Sequence, residues 1–365
     1  MTDSAKKIKI ERKEYFIFQI IILKLFCNKR GKMKKTNSVI VSLFLVFTLV
    51  FSSCAKQDVS KTSKMHVIFA GTEAATTGQS RMMQAAAEKL NATGHFNATV
   101  MVAGSLSGDT EALMEQAKAG YNLVVPSDPG RIASAFNIPD LNILMAPYIL
   151  TDPVLLEKLP DTELFKEWQA QLEKQGIVYI TNMYNGFRSF YTTKPVKTVA
   201  DLEGLRIRGF GNAIGKNLAK YLGFENMGIA WSSVYPEIHQ NTLDGCEVQV
   251  ATADGSHIYE VTKYLAMTKH YMLQSAFICS ANFYNNLSEE DRDIFVKIIR
   301  ECAVEYGKII EEEEDGFYSN MRKNGVNISD VDINEFKNAI EPMYKTNALG
   351  FTPGLKDRLF RELGQ

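Results

Sequence analysis

The chain has 365 residues, of which 41 are Lys or Arg and 42 are Asp or Glu, so its formal net charge is −1. Residues 1–53 carry 11 basic and 3 acidic side chains, a net of +8, and the rest of the chain therefore has a net of −9. An acidic body argues against a nucleic-acid binder that neutralises phosphates, and a hydrophobic content of 45% argues against a disordered chain. After residue 53, no apolar run is long enough to span a membrane.

Residues 33–53 are predicted to be a signal peptide. Two lysines precede an apolar stretch from Val39 to Phe51, which suits the core of a cleaved leader better than a membrane-spanning helix. Small residues then lead to Cys54, and this arrangement resembles a bacterial lipoprotein signal, in which the cysteine is lipidated. An uncleaved N-terminal anchor is the alternative, and either interpretation places the body outside the cytoplasmic membrane. We expect a polar tether at 54–64 and a translation start downstream of residues 1–32.

The cysteines and histidines predict neither a disulfide framework nor a metal site. After Cys54, the cysteines are Cys246, Cys279 and Cys302, which are far apart in sequence and lack metal-binding spacing. None of the five histidines is in HExxH or HxH spacing. We therefore predict three buried thiols and no metal or cofactor.

Strand and helix patterns alternate along the body. This alternation is typical of an α/β protein with a largely parallel sheet, and its restart after residue 177 indicates two α/β units in succession. The predicted strands cover residues 65–70, 98–103, 121–125, 177–184 and 205–208, and the predicted helices cover 82–90, 109–118 and 214–222.

The last third of the chain has a helical pattern. Ser288 and the acidic residues after it form a capping box, and apolar residues then recur at three- and four-residue steps to about Gly325. Such a helix is long enough to cross more than one lobe.

The run from Gly209 to Gly215 has GxGxxxG spacing between a strand and a helix. A dinucleotide fingerprint has this setting, but Arg206 and Arg208 suit a buried parallel strand poorly, and no acidic residue ends a second strand about 20 residues later. We favour a loop at a cleft, where a small residue such as Gly211 lets a ligand approach the backbone.

A series of short motifs between Tyr184 and His270 resembles a known family. They are NGFR at 185–188, KPV at 194–196, ADLEGLRIR at 200–208, SVY at 233–235, LDG at 243–245 and YEVTKYL at 259–265. Their order and spacing resemble the solute-binding proteins of tripartite ATP-independent periplasmic (TRAP) transporters, of the dicarboxylate- and sialate-binding type. The likeness covers about residues 65–345.

The resemblance implies a two-lobed α/β fold of the type II periplasmic-binding-protein kind, with a long helix spanning both lobes. It also implies a periplasmic protein that is not an enzyme, captures a small organic acid by lobe closure and delivers it to TRAP permease membrane subunits. The expected segments are a leader at 1–53, a tether at 54–64, lobe 1 at 65–184, lobe 2 at 185–275, a return to lobe 1 with the long helix at 276–325, and a C-terminal helical segment at 326–365.

Two arginines are the implied ligand-binding residues. Family members bind a substrate carboxylate with the arginine of a Leu-x-Ile/Val-Arg pattern, which is Arg208 here, and a second arginine in an Asn-Gly-x-Arg pattern corresponds to Arg188. The planar guanidinium group matches a carboxylate with two parallel hydrogen bonds. The alternative is that one or both arginines form internal ion pairs.

The sequence departs from the family pattern at other candidate contacts. Val248, after Glu247, stands where the family often has a substrate-binding asparagine, and Phe210 stands where a proline is usual. Trp231 supplies an aromatic residue ahead of the SVY motif. These changes lower polarity or add apolar area, so we predict an apolar monocarboxylate as the ligand; simple repacking of the cleft wall is the alternative. The remaining candidate contacts are Gly211, Ser127 and Glu73.

Two other functions stay open at this point. A ligand-binding lipoprotein for sensing, or for transfer of a lipid-like ligand to a helical-repeat (TPR) partner, would share the fold. An enzyme using Cys246, Glu247 or His239 is the other, although a reactive cysteine needs an electropositive and partly exposed setting. Apart from the alternative of an uncleaved N-terminal anchor, the only predicted membrane attachment is the lipid anchor.

Overall fold

Apolar segments of the chain form one nine-stranded mixed β-sheet in the computed structural model, which describes residues 64–365. The predicted leader, Cys54 and the tether before residue 64 lie outside the described residues. Within them, no helix combines the length and apolar character needed to cross a bilayer. The strands are β1 (Met65–Ala70), β2 (Phe96–Met101), β3 (Leu123–Ser127), β4 (Ile177–Thr192), β5 (Arg206–Arg208), β6 (Glu225–Asn226), β7 (Gly245–Gln249), β8 (Tyr264–Ser280) and β9 (Asn327–Ser329).

Helices flank this sheet and connect its strands. Four short 3₁₀ segments lie at Pro139–Met145, Leu159–Asp161, Val199–Leu202 and Trp231–Ser233. The α-helices are α1 (Gly78–Ala92), α2 (Thr110–Lys118), α3 (Pro129–Ala135), α4 (Val154–Lys158), α5 (Glu163–Glu173), α6 (Ala213–Leu222), α7 (Val234–His239), α8 (Val250–Gly255), α9 (Ile258–Val261), α10 (Ala281–Asn285), α11 (Glu289–Lys323), α12 (Ile333–Lys345) and α13 (Leu355–Leu363).

The strand order is β2-β1-β3-β8-β4-β7-β5-β6, with β9 beside β8. Strands β1 to β3 are parallel to one another, and so are β5, β6 and β7. The predicted α/β units are thus confirmed at both ends of the sheet. The centre is different, because β8 runs antiparallel to β3 and β4, and β4 runs antiparallel to β7. We call the half around β1–β3 lobe 1 and the half around β5–β7 lobe 2.

Two long strands join the lobes. Strands β4, with 16 residues, and β8, with 17, pair from Ile177 opposite Ser280 to Thr192 opposite Tyr264. Their register shifts between Tyr184 and Phe187, where Gly186 has a φ of +100°. A Cβ atom added to Gly186 would lie 2.9 Å from Gln249 Cβ, so both the backbone conformation and the available space require glycine.

The long predicted helix is confirmed as α11, which has 35 residues and ends at Lys323. Its length is about 52 Å at 1.5 Å per residue. The Ser288 side chain caps it by accepting a hydrogen bond from the Asp291 backbone N–H. Near its start, Phe295 packs into the hydrophobic core of lobe 1, and near its end Met321 packs into a core of lobe 2. The helix therefore spans both lobes.

The C-terminal segment returns from lobe 2 to lobe 1. Helix α12 contributes Phe336 and Ile340 to a lobe 2 core. Helix α13 is fixed on α5, because Arg358 forms two hydrogen bonds of 2.8 Å with Glu167 and the Glu362 carboxylate accepts one from the backbone of Leu164. Like α11, this segment links the two halves of the molecule.

Candidate ligand-binding cleft

Arg188 lies on β4, two residues after the Gly186 bulge, in a buried charge network. Its Nε donates to a side-chain oxygen of Glu247 on β7, and a terminal nitrogen donates to the Glu247 backbone oxygen. Nε2 of His270, on β8, is 3.3 Å from the same carboxylate oxygen, and its Nδ1 is 2.9 Å from Thr268 Oγ1. Three neighbouring strands therefore supply one residue each, and only 4% of the Arg188 side chain and 2% of the Glu247 side chain are exposed.

The pKa shifts of this network reflect competition between burial and pairing. Burial disfavours charge on Arg188, but Glu247 outweighs it and raises the pKa of the guanidinium above its usual value. Burial would raise the pKa of Glu247, yet the charge of Arg188 and the hydrogen bonds from His270 and Arg188 lower it. Burial lowers the pKa of His270 against the opposing effect of Glu247. The network therefore holds an ionised Arg–Glu pair beside a neutral imidazole at neutral pH.

Arg208, on the short strand β5, has a different environment. Its side chain is half-buried, and Nε is 3.4 Å from the Ile229 backbone oxygen. Within residues 64–365 it forms no ion pair with a carboxylate. Burial lowers the pKa of the Arg208 guanidinium and the nearby positive charge of Arg188 lowers it further, whereas the negative charge of Glu247 acts in the opposite direction. An anion at this position would offset both effects.

Aromatic rings surround the two guanidinium groups. The Phe210 ring centroid is 4.4 Å from the Arg188 guanidinium carbon, and the Trp231 centroid is 5.2 Å from that of Arg208. Nε1 of Trp231 donates to Ser256 Oγ at 3.0 Å, which fixes the indole. Gly211 is exposed, and no atom lies within 4 Å of a Cβ added there, as expected for a loop that a ligand can approach.

Tyr271, on β8, was not among the sequence-predicted site residues, although it lies between the lobes. Its centroid is 5.4 Å from the Arg188 guanidinium carbon and 5.8 Å from the Phe210 centroid. Burial raises the pKa of its phenol well above the usual value, and the charges that act on it include Asp128 of lobe 1. Only 2% of Tyr271 is exposed, and its hydroxyl has no hydrogen-bond partner among the described residues.

The lobe 1 candidates occupy the loops after β1 and β3. Ser127 ends β3, is 6% exposed, and has a buried hydroxyl without a partner in the described part of the chain. Glu73 is exposed to solvent. Desolvation by the surrounding protein raises the pKa of its carboxyl, while Thr77 and Arg131 act in the opposite direction. No described hydrogen bond joins Glu73 to Arg188 or Arg208.

Val248 is a buried residue of β7. On β7, Glu247 faces Arg188, so Val248 points to the opposite side of the strand. It is 2% exposed and packs in a lobe 2 core with Tyr191 and Val234. The register partner of Arg208 on β7 is Cys246, two residues before Val248, so Val248 lies on the same face of the sheet as Arg208 and its contact with a ligand stays a prediction. The alternative of an internal ion pair applies to Arg188, which pairs with Glu247, whereas Arg208 has no carboxylate partner among the described residues.

The candidate catalytic residues lack a catalytic setting. Burial raises the pKa of the Cys246 thiol to about 12, so the thiolate is not formed at neutral pH. His239 is exposed at the end of α7 and stacks on Tyr235 with a centroid distance of 6.4 Å. Cys246, Cys279 and Cys302 are free and buried, which confirms the prediction of three buried thiols.

Comparison with known proteins identifies the family. Residues 69–349 match the family described as bacterial extracellular solute-binding protein, family 7. The chain belongs to this family. It is a TRAP-type extracytoplasmic solute-binding protein and not an enzyme.

Several relatives are similar over most of the chain. The sialic acid-binding periplasmic protein SiaP of Vibrio cholerae is 25% identical over 86% of this chain and 95% of its own length. A TRAP solute-binding protein of Actinobacillus succinogenes, solved with L-galactonate, is 28% identical with a TM-score of 0.71, covering 82% of this chain and 99% of that one. A third, from Escherichia fergusonii in an open form without ligand, has a TM-score of 0.75 at 23% identity over 81% and 99% of the two chains, and supports the two-lobed fold.

Proposed function

We propose that the protein captures a small organic acid with one carboxylate and an apolar body, and delivers it to the membrane subunits of a TRAP transporter. The observation that carries this proposal is the half-buried Arg208, which lacks a carboxylate partner among the described residues and lies beside an aromatic ring. A guanidinium group in such a place is suited to an anion supplied by the ligand.

The carboxylate of the ligand binds Arg208 in this proposal. Arg208 is partly desolvated, so an anion gains from its charge more than it would at an exposed surface. One hydrogen bond to a charged group contributes about 1.5–3 kcal/mol, and a guanidinium can form two with one carboxylate. The net charge of the body is negative, so this attraction acts locally and not through long-range steering.

The aromatic rings support an apolar ligand body. Phe210 and Trp231 are partly exposed next to the two arginines, and the buried Tyr271 lies behind them. Relatives point the other way: the A. succinogenes protein was solved with L-galactonate, and the V. cholerae protein is named for sialic acid, both of them polyhydroxylated. The identity of the ligand body is therefore the part of the proposal that most needs a direct test.

Closure of the two lobes would enclose the ligand. We propose lobe boundaries near residues 184–185 and 275–276, on the two strands that join the lobes. The positive-φ residues Gly186 and Lys269 and the register shifts near them place irregular backbone on both strands, which is where a hinge can absorb rotation. The closed form would then be recognised by the membrane subunits.

Attachment through a lipid on Cys54 is also a proposal. It is supported by the basic, apolar and small-residue order of residues 33–53. Expression of the full chain and of Cys54→Ser in a bacterial host tests it. The full chain should partition with membranes and carry the mass of a lipidated N-terminus, whereas the variant should not; equal partitioning of the two would contradict lipidation.

Calorimetry on protein freed of ligand by unfolding and refolding tests the ligand class. We expect 4-methyl-2-oxopentanoate or phenylacetate to bind more tightly than succinate or L-galactonate. Tighter binding of L-galactonate would overturn the apolar body but leave the carboxylate site intact. Absence of binding to all four acids would contradict the carboxylate site itself. Native mass spectrometry of freshly purified protein extends the test, since a retained lipid-like acid would favour the alternative of transfer to a helical-repeat partner.

A further inference from the structure

The Phe210 ring packs over the guanidinium group of Arg188. Its centroid lies 4.4 Å from the Arg188 guanidinium carbon, and the Tyr271 centroid lies 5.4 Å from it. Glu247 accepts hydrogen bonds from the Nε and a terminal nitrogen of Arg188. With 4% of its side chain exposed, Arg188 is thus enclosed by aromatic rings and by its own counter-ion.

The backbone holds Phe210 in this position. Nδ2 of Asn226, on β6, donates to the Phe210 backbone oxygen at 2.7 Å. Helix α6 begins directly against the same residue, since a Cβ atom added to Gly215 would lie 2.1 Å from the Phe210 oxygen. Gly209 is also confined, because a Cβ atom added to it would lie 2.7 Å from Asn226 Oδ1. Contacts on both sides of Phe210 therefore fix the backbone from which its ring extends.

This arrangement has a consequence for ligands with two carboxylates. Such a ligand needs a second cation near Arg208. Arg188 is the neighbouring cation, because Arg208 pairs in register with Cys246 and Arg188 binds the next residue, Glu247. The ring of Phe210 lies over that cation. An aromatic face carries partial negative charge and offers no hydrogen bond, so a carboxylate placed against it would lose its hydration without a replacement.

We propose that Phe210 determines specificity for one carboxylate by shielding Arg188 from the ligand. The inference rests on the proposed function, in which Arg208 binds the first carboxylate. Phe210 is then a specificity-determining residue. Arg188 does not contact the ligand in the wild-type protein and has a positioning role. Removal of the ring should expose Arg188 and create a second carboxylate site without any added charge.

The test compares Phe210→Ala with Phe210→Leu, which removes the aromatic ring but keeps an apolar cover over Arg188. Each ligand-free protein is titrated calorimetrically with 4-methyl-2-oxopentanoate and with succinate, after thermal denaturation has shown that it is folded. In Phe210→Ala, we expect the ratio of succinate affinity to monocarboxylate affinity to rise at least tenfold. In Phe210→Leu, we expect the ratio to stay within about threefold of the wild-type value.

The outcomes separate the two proposals. Wild-type protein that binds neither acid contradicts the proposed function. Wild-type protein that prefers the monocarboxylate, together with an unchanged ratio in Phe210→Ala, overturns the role of Phe210 and leaves the proposed function standing. An equal rise in Phe210→Leu and Phe210→Ala also overturns the shielding role, because leucine still covers the arginine. A wild-type preference for succinate overturns both the shielding and the monocarboxylate class.

Discussion

Arg188 and Arg208 lie near each other on lobe 2, yet their environments assign them opposite tasks. Arg188 is 3% exposed, is paired with Glu247 and is covered by Phe210. Arg208 is half-buried and has one long hydrogen bond to a backbone oxygen. The family pattern marks both arginines as ligand-binding residues. The comparison shows that a pattern identifies a charged side chain, whereas its neighbours decide whether that charge stabilises the fold or remains available to a ligand.

The largest expected effect tests the structural side of this comparison. Glu247→Gln leaves the Arg188 guanidinium buried without a counter-ion, and loss of one partner of a buried pair costs about 3–5 kcal/mol. Urea denaturation at pH 7 measures it. The matched control is Arg206→Gln, which breaks the pair with Asp244 where 37% of the arginine side chain is exposed, and should cost about 0.2–1 kcal/mol. Equal losses in the two variants would mean that the Arg188 network is not a structural element.

The next effect tests the ligand-binding side. Arg208→Gln removes the cation proposed to bind the carboxylate, so affinity for the best monocarboxylate should fall about 10- to 100-fold, the equivalent of one charged hydrogen bond. Stability should change little, because no carboxylate within residues 64–365 pairs with Arg208. Calorimetry and urea denaturation of the same sample separate the two quantities. Arg206→Gln again serves as the control, with unchanged affinity; a large loss of stability in Arg208→Gln would reverse the roles assigned above.

A smaller effect tests the aromatic surroundings of Arg208. Trp231→Leu removes the ring whose centroid is 5.2 Å from the guanidinium carbon, while keeping apolar bulk. A cation–π contact of this kind contributes about 0.5–1 kcal/mol at a partly exposed site, so affinity for a monocarboxylate should fall about two- to fivefold. Tyr235→Phe is a control on the adjoining helix, since that tyrosine bonds Glu260 at 2.6 Å. An unchanged affinity in Trp231→Leu would remove Trp231 from the site.

The sequence predicted the elements whose signals are local. Strands β1 and β3 and helix α11 follow from apolar periodicity and from the Ser288 cap, and the structure has them within a few residues of the predicted bounds. Strand β4 was predicted to end at Tyr184, but it continues to Thr192. The bulge at Gly186 and the buried Arg188 break the alternation that marks a strand, and their partners lie on β7 and β8. A single strand's pattern contains no information about such partners.

The candidate site could also be predicted only where the signal is local in the sequence. The resemblance supplied Arg208, Arg188 and Glu247, because each stands in a short motif. Tyr271 went unrecognised because its place beside Arg188 depends on how β8 pairs with β4. The burial of Val248 went unpredicted for a related reason: the motif gives its position along β7, but the facing direction is set by the pairing of Glu247 with Phe190.

Two buried carboxylates, Glu314 and Glu247, also differ in their partners, and a test of Glu314 has the smallest expected effect. Glu314, on α11, is 6% exposed and accepts a 2.7 Å hydrogen bond from the Tyr184 hydroxyl. Burial raises the pKa of its carboxyl, with Glu311 and Asp315 adding to the rise and Tyr184 and Lys269 opposing it. Glu247 is buried as well, but its arginine partner lowers its pKa. The two carboxylates should therefore contribute to stability with opposite dependence on pH.

A raised pKa in the folded state means that folding favours the protonated form of Glu314. Its contribution is fully present below the unfolded pKa and is lost as the pH rises through the folded pKa. Glu314→Gln mimics the protonated form and keeps an acceptor for Tyr184, so it should be more stable than wild type at pH 8 and the difference should shrink towards pH 4. Urea denaturation across this range measures it, with the exposed Glu312→Gln as control. A stability gain that grew towards pH 4 would show that burial does not raise the pKa of Glu314. The contrast between a buried unpaired group and a buried paired group would then not apply to the two carboxylates.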